Sequence, residues 1–179
     1  MKNIYRMNRI AYHLSERLTA IELCFAQDCV LSGLTLLYSG IDSAAWLFSP
    51  RSQLDVKRFD FVQWCDKYMI PGSDLPCSGV DLYAARCALL HTYTARSKLS
   101  REGKAKKLFY AHGEIQLNQH INDMTDEARR TSYLVHVSSL LAAFRNGVAG
   151  FFSDIAVDPA LCERVTIRAK TALLPYTRD

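Results

Sequence analysis

Val30-Leu-Ser-Gly-Leu-Thr-Leu-Leu-Tyr-Ser-Gly-Ile-Asp-Ser-Ala-Ala-Trp-Leu-Phe48 is the stretch that decides the fold. Its apolar residues recur at helical spacing (Leu31, Leu34, Leu37, Tyr38, Ile41, Ala45, Phe48), and the same rhythm runs upstream through Leu14, Leu18, Ile21 and Phe25. The stretch is about long enough to span a bilayer, yet it carries Asp42 among Ser32, Gly33, Ser39, Gly40 and Ser43. It therefore reads as a buried core helix and not as a membrane span. Two consecutive helices, with a break near Gln27 to Leu31 or at Gly33, account for the chain up to Ser49-Pro50.

The same reasoning extends outward. Phe59, Phe61, Val62, Trp64, Cys65, Tyr68 and Met69 predict a third amphipathic helix over Asp55 to Met69, stopped by Pro71-Gly72. Ser78-Gly-Val-Asp81 supplies a hydroxyl N-cap with an acid three residues on, the start signal of a fourth helix through Leu90. Leu108-Phe-Tyr-Ala reads as a short extended segment within 107–118. Thr125-Asp-Glu-Ala caps a further helix whose face is Tyr133, Leu134, Val137, Leu140, Leu141 and Phe144, with a kink or end expected at Asn146-Gly147. Asp158 to Ala172 is a last helix, closed by Pro175. Without repeats or a low-complexity linker, the expectation is an all-α bundle of five or six helices forming one domain over 1–179.

At 20.3 kDa such a domain buries enough surface to fold without staples. The six cysteines contain no CxxC pair, and Cys24, Cys29 and Cys87 fall inside expected helices as small hydrophobes, so the thiols are expected to be free in a reducing cytosol. Met1 to Arg9 opens no signal-peptide pattern, which points the same way. A net charge of +4 permits nucleic-acid binding without requiring it.

Arg86-Cys-Ala-Leu-Leu-His91-Thr-Tyr93 carries the chemistry. Arginine presents a rigid fork suited to phosphate, and histidine titrates near neutrality. RNA cleavage without a metal uses the adjacent 2′-hydroxyl as nucleophile. It needs a proton acceptor, a proton donor and a cation for the developing phosphorane charge, which suits His91 as acid and base and Arg86 as phosphate clamp. Five helical positions separate the two, about 140° around the axis and about 7.5 Å along it, so they do not share a face. The spacing alone also fits Arg6 with His13, and Arg129 or Arg130 with His136; only Arg86/His91 is followed by x-Tyr and sits in an apolar helix. The bland alternative is an Arg86 paired with Asp81 or Asp42 and a half-buried His91.

Arg-x4-His-x-Tyr resembles the signature of the HEPN superfamily (higher eukaryotes and prokaryotes nucleotide-binding), whose members are small helical domains built on a four-helix core, many of them RNases. The resemblance implies a homodimer that brings two motif helices into a composite cleft, RNA as substrate, a role as toxin or defence effector, and no metal or other cofactor. Tyr38-Ser-Gly-Ile-Asp42-Ser43 is reminiscent of the polar helix that lines the site in that superfamily, which makes Asp42 a supporting residue. Tyr93 matches the tyrosine that a partner nucleotidyltransferase antitoxin modifies with AMP in one branch. Cys87 departs from the pattern, because many active members carry Asn, Asp or His after the arginine. It stands at i, i+4 to His91, and it leaves open a second reading, a catalytically silent module that binds nucleotide or a protein partner. Arg96, Lys98, Arg101, Lys104, Lys106 and Lys107 put six cations into twelve residues against Glu102 alone, a run that could steer an RNA backbone toward the motif.

Overall fold

A computed structural model describes the backbone over residues 2–50, 53, 55–115 and 117–171, with side chains from residue 10 onward apart from 118. Helix α1 (Lys2–Ala26) turns into α2 (Val30–Phe48) where expected, because Asp28 takes a left-handed conformation (φ 57°) and reverses the chain. The two helices then pack closely. A Cβ on Gly33 would sit 2.5 Å from the Phe25 ring, so a side chain there would force them apart. Cys29 lies in this turn, exposed, and not inside a helix as its apolar neighbours suggested.

Helix α2 is the hub and touches five other helices. Its Leu34, Leu37, Tyr38, Ile41 and Ala45, which share one helical face, are all fully buried. Helix α3 (Arg58–Trp64) continues as a π-helical turn (Cys65–Met69), and its Phe61 and Trp64 join Phe144 and Phe151 in the aromatic part of the core. Although α2 and α8 (Val137–Val157) are both long and apolar enough to cross a membrane, each lays one face into this core.

Helix α4 (Gly79–Thr92) starts on the expected capping box. Ser78 N and Oγ donate to Asp81 Oδ2 at 3.0 and 2.8 Å, and Asp66 Oδ1 accepts from Gly79 N at 2.8 Å. The other oxygen of Asp81, Oδ1, accepts from Lys106 N at 2.7 Å, so one carboxylate fastens the start of α4 to the end of the basic segment. Within that segment Lys98–Arg101 forms a short helix, α5.

Strand β1 (Lys107–Ala111) confirms the extended segment, ending at 111 because the chain turns helical again in α6 (Leu117–Asp123). Helix α7 (Asp126–Thr131) begins at the expected Thr125 cap, but Ser132–His136 is a strand, β2, where a continuing helix was expected. It pairs in parallel with β1 from Lys107↔Ser132 to Ala111↔His136. A lone strand leaves its backbone groups unmatched, and Ser-Tyr-Leu-Val-His suits a pleated partner; five apolar-rich residues do not distinguish the two periods. Tyr110 ties the sheet to the core through its hydroxyl, 2.6 Å from that of the buried Tyr38.

Helix α8 runs through Asn146-Gly147 without a break, a second correction. A Cβ at Gly147 would lie 3.0 Å from Met69 Cγ and 3.1 Å from the Tyr68 carbonyl oxygen, so the glycine serves close packing and not helix termination. The last helix is α9 (Pro159–Ala169), and the expected stop at Pro175 lies outside the described residues. The described residues are thus mostly helical, with six substantial helical segments, three short ones and one two-stranded sheet.

Candidate functional site

Polar side chains interrupt the apolar faces of α1 and α2 at matching heights. On α1 the inward stripe Ile10, Leu14, Ile21 is broken by His13 and Arg17, and on α2 half-buried Ser39, Asp42, Ser43 and Trp46 recur every three or four residues. Between them lies a cleft of about 590 Å³, into which Arg86 reaches from α4.

Arg86 donates from Nε and Nη2 to the same oxygen of Asp42, Oδ2, at 2.9 and 2.8 Å. Both side chains are about one-fifth exposed. Asp42 Oδ1 is buried without a hydrogen-bond partner among the described residues. Burial holds the Asp42 carboxyl above its ordinary range, against the pull of Arg86, while in Arg86 burial is more than offset by the bonds and charge of Asp42, so its affinity for protons rises.

Arg17 is the second cation. Its Nη1 donates to Ser39 Oγ and Ser43 Oγ, each at 3.2 Å, both neutral acceptors, and burial lowers its affinity for protons against the opposing charge of Glu16. Glu16 itself is bonded to His13, 3.1 Å from Nδ1 to Oε2. The cleft thus gathers two guanidiniums, an imidazole and one carboxylate.

Of the candidate site residues read from the sequence, Arg86 and Asp42 line this cleft, together with Ser39 and Ser43 of the same small-residue patch. His91 stands exposed in the last turn of α4 and makes no hydrogen bond among the described residues, so one copy of the chain does not bring Arg86 and His91 into a common pocket. Cys87 is half-buried beside Arg86. Tyr93 ends α4 in a left-handed conformation, φ 49°, a position usually taken by glycine, with Tyr93 N donating to Leu89 O as in a simple left-handed cap and Thr94 N donating to Ala88 O. The helix ends there, and the Tyr93 ring is 65% exposed.

Arg96, Lys98, Arg101 and Lys104 are exposed, and Lys106 and Lys107 are half-buried. Lys104 and Lys98 flank Glu102 at 2.8 and 3.9 Å, and Lys106 Nζ lies 4.3 Å from the centre of the Tyr133 ring. None of the six lines the cleft. His136, another histidine with arginine at the right spacing, is structural, since its Nδ1 accepts from Ser138 N at the start of α8 and its Nε2 donates to Gly113 O.

Sequence reasoning missed Arg17, and it set His13 aside with Arg6. A signal existed, since Arg17 places a cation on the otherwise apolar stripe of α1. No protein-family model, no curated protein and no solved structure matches this chain.

Proposed function

We propose that the chain is a metal-independent endoribonuclease of the HEPN kind, acting as a homodimer in the cytosol as a toxin or defence effector. The observation that carries this reading is the position of Arg86 on α4. Tyr83, Arg86, Cys87 and Leu90 form the half-buried stripe of that helix, while Leu82, Ala85 and Leu89 face the core. A second copy packed on the stripe would complete its burial and set the His91 of one copy beside the Arg86 of the other. Asp42 holds the guanidinium by two of its nitrogens and leaves Nη1 for a phosphate.

In the composite site the 2′-oxygen attacks phosphorus while one His91 takes its proton. The bond from phosphorus to the 5′-oxygen breaks, the second His91 protonates that oxygen, and Arg86 offsets the charge on the phosphorane. The products are a 2′,3′-cyclic phosphate and a 5′-hydroxyl. The cations from Arg96 to Lys107 would attract the RNA backbone. Two local features support Tyr93 as the handle for a nucleotidyltransferase antitoxin: its ring is exposed, and its backbone adopts a conformation that disfavours tyrosine.

A second reading, a silent module that binds nucleotide or protein, draws on Cys87 and on the occupation of two Arg86 nitrogens by Asp42. Incubating RNA with the purified chain in EDTA, beside Arg86→Ala and His91→Ala, separates the two. Cleavage confined to the wild type supports the nuclease, and intact RNA throughout moves the chain to the silent module. Sedimentation at micromolar concentration tests the dimer, which Leu90→Arg should split.

A further inference from the structure

We infer that the cleft between α1 and α2 binds a small organic phosphate bearing a hydroxyl or amine donor, of the size of a nucleoside or sugar phosphate. The inference rests on Arg17, which the nuclease reading does not use, together with Arg86 and Asp42, which it does, and it gives the nucleotide-binding reading above a site and a ligand class.

Arg17 is a half-buried cation whose described hydrogen bonds go to two neutral hydroxyls through one nitrogen. A guanidinium withdrawn from water with the rest of its fork unspent is matched best by an anion with several oxygens. Further donors stand nearby. Ser43 already gives its proton to Ser39 O at 2.9 Å, whereas the Ser39 hydroxyl proton has no acceptor among the described residues. Arg86, anchored on Asp42 within one turn of Ser39 and Ser43, has its Nη1 unbonded among the described residues. Arg17, Ser39 and Arg86 thus offer donors from three directions, which suits the three terminal oxygens of a phosphate monoester better than the two of a carboxylate.

The remaining demand is of the opposite sign. Asp42 Oδ1 is a buried acceptor lacking a donor, a costly state in a folded chain. An N–H or O–H of the ligand would satisfy it, and inorganic phosphate as the dianion offers at most one such proton while lacking any body to fill the cleft. A cleft of about 590 Å³ exceeds what phosphate fills and falls in the range that takes small organic ligands. Its walls add Leu14, Leu47 and Val56 as apolar surface for the rest of the molecule.

Calorimetric titration of the full chain tests this with AMP, glucose 6-phosphate, adenosine, glucose and inorganic phosphate. The expected result is heat from at least one of the two organic phosphates and weaker or no binding of the other three probes; which phosphate binds identifies the source. Arg17→Gln should weaken that binding by roughly 10- to 100-fold. Arg17→Lys, which keeps the charge and the fold if the glutamine variant unfolds, should weaken it by less. The inference is overturned if neither organic phosphate binds, if inorganic phosphate binds as tightly as they do, or if the Arg17 variants bind like wild type. A chain that binds AMP and leaves RNA intact retains this site and loses the nuclease.

Discussion

Arg86 gives two nitrogens to one oxygen of Asp42 and leaves the second oxygen buried and unmatched. The bond joins α4 to α2 across 44 positions of sequence, so the same arginine proposed to clamp phosphate also holds two helices together. Arg86→Ala should therefore cost about 1–2 kcal/mol of stability by stranding a partly buried carboxylate, while His91→Ala, at an exposed site, should stay within about 0.5 kcal/mol. Both should abolish cleavage. Arg86→Lys, keeping the charge but not the fork, should bind RNA and cut poorly. Urea unfolding beside a cleavage assay checks the split.

Asp42 makes the pair sensitive to pH in a defined direction. Burial raises its folded affinity for protons above that of an ordinary carboxyl at 3.8, so its contribution to stability is fully present in acid and is lost as pH rises through the raised value. An asparagine cannot ionise. The stability of Asp42→Asn relative to wild type should accordingly increase between about pH 4 and pH 7. Unfolding curves at both pH values that differ by a constant would disprove the shift.

Tyr93 occupies a backbone position made for glycine. Tyr93→Gly should raise stability by about 1 kcal/mol, since the left-handed conformation costs a side-chain-bearing residue about that much, and Tyr93→Phe should leave it unchanged. If the hydroxyl is the modification handle, coexpression with the cognate nucleotidyltransferase adds AMP mass to the wild type and to neither variant, read by intact-mass spectrometry.

Gly147 sets helix propensity against packing. Alanine inside an exposed helix gains up to about 1 kcal/mol over glycine, but here its Cβ would press on the Tyr68 carbonyl oxygen at 3.1 Å and on Trp64 at 3.2 Å. The carbonyl belongs to the backbone and yields little. Gly147→Ala should destabilise by about 1–2 kcal/mol, and a raised melting temperature would show that the contact relaxes freely.

Elements with local causes were legible in the sequence. The Ser78 and Thr125 caps and the turn at Asp28 depend on residues within a few positions of each other, and the central place of α2 follows from its unbroken apolar rhythm. Strand β2 was not legible, because its reason lies 25 positions away in β1, and Gly147 misled because its partners, Met69 and Tyr68, are distant in sequence. The cleft was half legible. Arg86 and Asp42 stood out by type and neighbourhood, whereas Arg17, a cation on the apolar stripe of α1, and His13 gain their partners only once the rotation of α1 against α2 is known.

Asp81 has a consequence for how a polyanion would lie. With Ser78 held by one oxygen and Lys106 by the other, α4 and the cationic stretch after it form a buckle: the chain climbs a 14-residue helix, about 20 Å, and must come back to the carboxylate it left. The positive charges are strung along that return journey, from Arg96 near the tip to Lys106 and Lys107 at the clasp. A strand attracted to them would be drawn alongside the helix, lengthwise, from the clasp toward its histidine end.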